Sequence, residues 1–389
     1  MLLIDDAYVV CGATPPVPSR ILIAEGRIAA VGLPESVPVP RGAEVIRVFG
    51  RRVVAGFVDI HIHGGGGASF MDGTPEAFAE VCRYAARHGT TALLATTRSA
   101  PPDRLLEVVS ALGRFEGVPD GAKFMGIHLE GPFLSPERPG AHNPDYLRVA
   151  ALDEVDRLLD AANGKIKHCT LAPELPGALG VIEVLRSQGV TVALGHSSAD
   201  FSTARRAISH GASIATHVFD CMPPLHHREL SITSAAVTDD RVVAEVIADG
   251  HHIHPAMIRL LVRAKQPHRV ALVSNNFFAA GMPDGVYSRD DRIISVEHGL
   301  AYLADAGNPI IAGATVGMER AFANLIQFAG VSVQEASEMA SAVPAAIIGE
   351  QHSIGSIRVG AQADLVVLDH DGSVWMTLVD GRIVYQVEE

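Results

Sequence analysis

Residues 56–67 have the sequence Gly-Phe-Val-Asp-Ile-His-Ile-His-Gly-Gly-Gly-Gly, in which an apolar run ends in two histidines and then in glycines. Side chains two residues apart in a strand point to the same face, so His61 and His63 are expected to lie side by side. Paired imidazoles at the carboxyl end of a strand suit a divalent metal ion. The alternative is a polar strand end with two unrelated histidines.

Strand-like apolar runs and helical patterns alternate along the middle of the chain. Strands are predicted near residues 53–63, 91–96, 124–130, 167–172, 190–196, 213–217, 242–248 and 269–275. Helical patterns separate most of them, at residues 75–88, 102–113, 152–161, 177–188, 200–210 and 255–265, and residues 317–349 indicate closing helices. This order predicts an α/β fold, a (β/α)8 TIM-like barrel, with a doubly wound sheet as the alternative.

Both chain ends carry short strand-like runs separated by glycines and prolines. They lie at residues 7–10, 20–23, 27–31 and 44–48, and again at 363–369, 375–379 and 382–385. Such spacing is typical of a small antiparallel unit. We therefore expect residues 1–55 and 350–389 to form one small β-sandwich domain around a barrel of residues 56–349.

Composition narrows the range of partners. The net charge is −13 over 389 residues, without a basic run, which argues against nucleic acid. No apolar segment is long enough to span a bilayer, which argues against a membrane partner. The four cysteines are scattered without a CxxC motif, which predicts free thiols in a reducing compartment. A cytoplasmic protein is expected.

Polar residues recur where the predicted barrel strands end, and in a barrel the active site lies at the carboxyl ends of the strands. They are His61, His63, Glu130, His196, His217, Asp249 and Asn275. A single histidine is more often a polar core residue than a ligand, but a series at matching positions favours a metal. Glu130, His196 and His217 would bind one Zn²⁺-like ion and leave a coordination position open, as in catalytic sites.

The sequence resembles the amidohydrolase superfamily, and more narrowly the N-acetylglucosamine-6-phosphate deacetylases. The resemblance rests on the His-x-His pair, on residues 360–366 near the C-terminus, and on a series of short motifs across nearly the whole chain. Those motifs lie at residues 128–133, 140–143, 170–174, 195–197, 216–217, 222–229 and 247–250.

The resemblance implies metal-dependent hydrolysis of the acetamide of N-acetylglucosamine 6-phosphate, with release of acetate and glucosamine 6-phosphate. Glu130, His196 and His217 match the principal metal ligands of the family. His61 and His63 match the additional pair of two-metal members. The expected cofactor is therefore one or two divalent ions, Zn²⁺ first and iron as the alternative.

The resemblance also implies contacts with an amino-sugar phosphate. Arg228 suits a phosphate by charge and geometry, and family members often supply it across a homodimer interface. A surface ion pair with Glu229 is its alternative role, and a helix-capping loop is the alternative for His252. The other implied substrate contacts are Ala141, His142, Asp220, Cys221, Ile311, Ala312 and Gly313.

Asn275 departs from the family pattern at the end of strand eight. There the family has an aspartate that takes a proton from the attacking water and delivers it to the leaving amine. A carboxamide is no base at neutral pH, and such a group typically contributes ~10²–10⁴-fold. Other departures are Asp220, residues 230–231, residues 276–278, residues 308–309 and Ala314.

Three interpretations follow from this departure. The protein is a weak or re-tuned deacetylase in which Asp249, His142 or Asp220 handles the proton. Alternatively, it is a pseudoenzyme that binds metal and sugar phosphate, or a hydrolase of a different amide or ester. The presence of every metal ligand favours a functional metal site.

Overall fold

A barrel of eight parallel strands forms the centre of the computed structural model, which describes residues 1–12, 15–289, 292–304 and 310–388. Each strand pairs with the next along the chain. The backbone N–H of Asn275 donates to the carbonyl of His61 at 2.9 Å, which brings the end of the eighth strand beside the first. The predicted barrel is confirmed. Its strands are Phe57–Ile62, Thr90–Thr97, Lys123–Glu130, Ile166–Leu171, Thr191–Leu194, Ile214–Ala215, Val243–Ile247 and Val270–Val273.

Helices follow most barrel strands, close to their predicted positions: Pro75–Arg87, Pro102–Arg114, Leu152–Ala161, Ala178–Ser187, Phe201–His210, Ile232–Thr238 and Pro255–Lys265. The helix Ile232–Thr238 was not predicted, because it is short and rich in β-branched residues. The closing helices are Met318–Ala329, Val333–Ser337 and Val343–Ile347, the last two joined by a π-helical turn at Glu338–Ala342. Short 3₁₀ turns occur at Phe70–Asp72, Pro144–Tyr146 and Pro267–Arg269.

A second sheet of eight strands combines the two chain ends, as predicted. The sheet is mixed rather than antiparallel, because Leu2–Val9 pairs parallel with Glu44–Arg47 and with Arg52–Ala55. Its strand Arg52–Ala55 pairs antiparallel with Leu365–Leu368 and so joins the N-terminal part to the C-terminal part. The other strands are Leu2–Val9, Val17–Ala24, Arg27–Gly32, Glu44–Arg47, Val374–Val379 and Arg382–Gln386.

The single strand predicted at residues 53–63 is wrong in one respect, because it is two strands that meet at Gly56. A Cβ at this glycine would lie 2.2 Å from Thr91 Oγ1, so only glycine permits this close approach. The residues before Gly56 join the small sheet, and those after it enter the barrel. The division into domains at residues 55/56 and 349/350 stays a prediction.

An antiparallel sheet of four strands follows the eighth barrel strand and was not predicted. Phe277 and Phe278 pack beneath it with Ile294 and Leu303, which explains why aromatic residues follow Asn275. Residues 311–313 belong to its last strand, while residues 308–309 lie outside the described residues. The strands are Gly285–Arg289, Arg292–Glu297, Leu300–Leu303 and Ile310–Gly313, and a small separate pair is formed by Gly64–Gly65 and Ala68–Ser69.

Two further predictions concern the chain as a whole. All four cysteines are free thiols, and Cys82 and Cys169 are buried. Within the described ranges, none of the helices has both the length and the apolar character needed to cross a membrane.

The small sheet is tied to the barrel by Lys123, whose Nζ pairs with Asp364 at 2.7 Å and Asp380 at 3.0 Å.

Candidate metal and substrate site

Glu130 lies at the centre of a histidine cluster at the carboxyl end of the barrel. It is the last residue of the third strand, and its side chain is buried. Five imidazole nitrogens lie 3.1 to 3.3 Å from its two carboxylate oxygens. They are Nε2 of His61, His196 and His217 beside Oε1, and Nε2 of His63 and His142 beside Oε2. The structure thus brings together all five metal ligands predicted from the sequence, and His142 with them.

The geometry of this cluster fits a cation. His196 Nε2 and His217 Nε2 face each other at 3.2 Å beside the same oxygen of Glu130. His61 Nε2 is 3.1 Å from that oxygen, yet this buried nitrogen has no hydrogen-bond partner of good geometry among the described residues. Imidazole and carboxylate lone pairs therefore converge on one region, and such donors suit Zn²⁺ or Fe²⁺.

Two overlapping groups of three donors have the spacing for an ion. One consists of His61, His63 and Glu130, and the other of Glu130, His142 and His196. His217 lies equally close to the second group, at 3.2 Å from both Glu130 and His196. Glu130 belongs to both groups, so its two oxygens can serve two neighbouring ions.

Unusual backbone conformations direct the ligands inward. His196, His217 and Asn275 have positive φ angles of 46°, 25° and 50°, a region that residues other than glycine rarely adopt. Each follows a barrel strand, so the chain turns sharply at the rim of the barrel. Gly140 permits the neighbouring loop to approach, because a Cβ there would lie 2.6 Å from Cys221 Sγ and 3.0 Å from His196 Cε1.

The protonation states of the cluster follow from burial and from its charges. Burial alone would raise the pKa of Glu130, but the charge of His61 and hydrogen bonds from the other histidines hold that pKa well below its usual range. Burial lowers the pKa of His142 to about 4, against the opposing effect of Glu130. At neutral pH the centre is therefore an ionised carboxylate beside a neutral His142.

His142 has a defined tautomer in this environment. The backbone N–H of Ser99 donates to His142 Nδ1 at 3.2 Å, so the neutral ring carries its proton on Nε2. That nitrogen lies 3.1 Å from Glu130 Oε2 and borders the cavity. His142 is thus a neutral hydrogen-bond donor in the wall of the cavity.

Asp249 and His252 form a second charged pair at the rim. His252 Nδ1 lies 2.5 Å from Asp249 Oδ2, and the backbone N–H groups of His251 and His252 donate to Asp249 Oδ1. Burial opposes a charge on His252, but the hydrogen bond and the charge of Asp249 raise its pKa. His252 lines the cavity and Asp249 does not, so the pair presents an imidazole held by a buried carboxylate to the cavity.

A cavity of about 260 Å³ opens above the histidine cluster. Arg98, Gly140 and Phe277 contribute to its wall together with the candidate ligands His63, Glu130, His196 and His217. All but one of the residues predicted to contact substrate, and also Asn275, lie on this wall. They are Ala141, His142, Asp220, Cys221, His252, Ile311, Ala312 and Gly313.

Arg228 is the exception. It lies in the exposed segment 224–230 and is not part of the cavity wall. Within the described ranges, no ion pair joins it to Glu229, so the alternative role weighed for it is not observed. An arginine at this position can meet a substrate only if it comes from another subunit or if the segment moves.

Asn275 borders the cavity with its backbone held on both sides. Its N–H donates to the His61 carbonyl at 2.9 Å, and its own carbonyl accepts the N–H of Ala314 at 3.0 Å. Asn276 also supports the site, because its carbonyl accepts the N–H of His63 at 2.7 Å. The backbone of residue 275 is therefore held at the cavity wall, and its acid/base position stays a prediction.

Sequence reasoning missed several residues of the site. Arg98 follows the second strand and lines the cavity, where its charge acts on His63 and His142. Glu245 and His168 lie fully buried inside the barrel, next to His61. For Glu245, the available signal was a charged residue within an otherwise apolar strand. For Arg98, it was a charged residue directly after an apolar strand.

Comparison with known proteins identifies the family. The sequence pattern of the amidohydrolase family matches residues 52–384 of the chain. The chain belongs to the amidohydrolase family. This amidohydrolase is 36% identical over 372 residues to the N-acetylgalactosamine-6-phosphate deacetylase of Escherichia coli O157:H7. The match covers 94% of each of the two chains. It is 34% identical to the N-acetylglucosamine-6-phosphate deacetylase of Vibrio furnissii, over 92% of this chain and 89% of that protein.

Solved structures agree with this assignment. The N-acetyl-D-glucosamine-6-phosphate deacetylase of Mycobacterium smegmatis superimposes with a TM-score of 0.91 at 37% identity, covering 99% of this chain and 100% of that one. A variant of the same enzyme, in complex with N-acetyl-D-glucosamine-6-phosphate, gives a TM-score of 0.89 at 36% identity, covering 98% and 99% of the two chains. The predicted resemblance to this group of amidohydrolases is confirmed.

Proposed function

We propose that this amidohydrolase removes the acetyl group of N-acetylglucosamine 6-phosphate, which yields glucosamine 6-phosphate and acetate in amino-sugar catabolism. The observation that carries the proposal is the cluster of five imidazoles around Glu130 at the floor of a cavity of substrate size. Near full-length relatives with this activity support it. A relative named for the galactosamine epimer makes N-acetylgalactosamine 6-phosphate the second substrate to assay.

The cluster would hold the metal of this reaction. Glu130, His196 and His217 are proposed as ligands of one ion, and His61 and His63, with Glu130, as ligands of a second. Zn²⁺ is the first choice, and Fe²⁺ is the alternative for this mixture of nitrogen and oxygen donors. When bound, the metal supplies the electrophilic assistance that amide hydrolysis requires.

The remaining roles fall to the walls of the cavity. His142, with its proton on Nε2, is proposed to donate to the acetamide oxygen of the substrate. His252, charged beside Asp249, is proposed to face the anionic end of the sugar phosphate. Ala141, Asp220, Cys221 and residues 311–313 would complete the wall around the sugar.

We propose a homodimer in which Arg228 reaches the phosphate of the neighbouring subunit. The exposed position of Arg228 outside its own cavity supports this arrangement. A cytoplasmic location is the accompanying proposal, which the four free thiols support.

Acetate release is the decisive test. Zn²⁺-loaded wild type and Asn275→Asp would be assayed with N-acetylglucosamine 6-phosphate and its galactosamine epimer. Low release by the wild type and faster release by the variant are expected. No release by either protein from either sugar would refute the deacetylase assignment. Tight binding without release in the wild type would instead indicate a sugar-phosphate-binding protein.

A further inference from the structure

Glu245 is a carboxylate in the interior of the barrel, where apolar side chains are usual. It lies in the strand Val243–Ile247, and its side chain is fully buried. Burying an ionised carboxylate is costly unless donors satisfy both of its oxygens. Such a residue is retained at a stability cost, so its partners indicate what it does.

Three donors converge on Glu245. His61 Nδ1 lies 3.1 Å from Oε2, and His168 Nε2 lies 3.2 Å from Oε1. The backbone N–H of His217 donates to Oε2 at 3.3 Å. One oxygen of Glu245 thus contacts a histidine from each of the two proposed metal groups.

These contacts fix how both histidines present themselves to Glu130. In the neutral ring that metal binding requires, a proton on His61 Nδ1, donated to Glu245, leaves the lone pair on Nε2, the atom 3.1 Å from Glu130. The bond to the His217 N–H supports a backbone with φ of 25°, which directs the His217 side chain to the same oxygen of Glu130. A carboxylate behind a histidine ligand fixes its tautomer and raises its basicity.

We propose that Glu245 is a positioning residue that orients His61 and His217 for metal binding. The proposal rests on the metal site described under the proposed function and assigns Glu245 no contact with substrate. It explains why a carboxylate occupies an apolar strand and why its oxygens face histidines from three other strands. Metal affinity, rather than folding alone, is the property that should depend on it.

Glu245→Gln tests the proposal, because it keeps the size of the side chain and removes the charge. Zn²⁺ affinity of the full-length protein would be measured by competition with a chromophoric chelator, and bound zinc by elemental analysis. Loss of a carboxylate behind a ligand is expected to weaken zinc binding by about tenfold or more. Thermal unfolding of the metal-free proteins would show that the variant is folded.

Asp59→Asn is the matched control. Asp59 is also a buried carboxylate, but it accepts the backbone N–H of His61 at 3.2 Å and does not bond to the imidazole. Zinc affinity of this control is expected to stay at the wild-type value. If Glu245→Gln does not fold, Glu245→Asp, which withdraws the carboxylate by one methylene, is measured in its place with the same expectation.

Several results would overturn the proposal. Unchanged zinc affinity in the folded Glu245 variant would do so, as would an equal loss in Asp59→Asn or a wild type that binds no zinc. Because the readout is affinity, this outcome is independent of acetate release. A wild type that binds zinc but releases no acetate would contradict the proposed function and leave the role of Glu245 to be judged on affinity.

Discussion

The backbone N–H of Asn275 donates to the carbonyl of His61 at 2.9 Å, which fixes the residue after the eighth strand, the proposed acid/base position, relative to a candidate metal ligand of the first strand. The Ala314 N–H, bound to the Asn275 carbonyl at 3.0 Å, holds the same residue from the other side. A side chain on this rigid backbone keeps its place when one atom of it is exchanged. Carboxamide and carboxylate are nearly the same size, so their chemical difference can be tested at this position.

Asn275→Asp is expected to raise the rate of acetate release from N-acetylglucosamine 6-phosphate. The new carboxylate can accept a proton from water and pass it to the leaving amine, which typically contributes ~10²–10⁴-fold. The measurement is kcat of the Zn²⁺-loaded proteins with the sugar phosphate. Asn275→Ala serves as the control, since it changes the same site without adding a base. An equal rise in both variants would show that the carboxylate is not responsible.

The barrel could be predicted from the sequence because buried parallel strands are continuous apolar runs, such as residues 90–97. The candidate ligands could be predicted because the ends of these strands meet at one rim, which brings Glu130, His196 and His217 together. The antiparallel sheet of four strands after the eighth barrel strand could not be predicted, because its strands are short and half-exposed and depend on packing against Phe277 and Phe278.

Glu245 shows the limit of pattern reading. Its role follows from contacts to His61, His168 and His217, which lie on three other strands and far apart in sequence. Within residues 242–248 the charge of Glu245 stands out, but nothing there indicates which residues of the other strands it meets. Arg228 shows the opposite case, because the role proposed for it depends on a second subunit rather than on its own fold.

His196→Ala and His217→Ala are each expected to reduce the zinc content of the protein. Both imidazoles contact Glu130 Oε1, and removing one leaves the ion with too few donors. Elemental analysis after dialysis against limiting Zn²⁺ gives the bound metal per chain. His128→Gln is the control, because His128 is a buried histidine whose nitrogens face Thr96 and Thr170 instead. Full zinc occupancy in either ligand variant would contradict the assignment.

Arg228→Met is expected to raise KM for the phosphorylated sugar, because a guanidinium that pairs with phosphate is lost. Glu229→Gln, the neighbouring exposed residue, should leave KM unchanged. Mixing Arg228→Met with the inactive His196→Ala variant tests whether the arginine acts across a dimer. After subunit exchange, mixed dimers contain one complete site, so about a quarter of the wild-type activity should return at low substrate concentration. No recovery in verified mixed dimers would place Arg228 in its own subunit's site or outside the reaction.

Asp59 is expected to make the protein less stable as the pH rises from about 4 to 7. Burial raises its pKa from 3.8 to about 6, so the folded state holds a proton that the unfolded chain has already released. The stabilising contribution is therefore present below pH 3.8 and is lost as the pH passes 6. The difference between the two pKa values corresponds to about 3 kcal/mol in the free energy of unfolding.

Asp59→Asn should remove this dependence, because an amide resembles the protonated acid at every pH. Free energies of unfolding of the two proteins, measured in urea with a metal chelator present, should agree near pH 4. By pH 7 the variant should be more stable by about 3 kcal/mol, since the wild type must then bury a charge. The chelator excludes any contribution from metal loss. Parallel stability curves from pH 4 to pH 7 would mean that Asp59 is ionised in the fold at little cost.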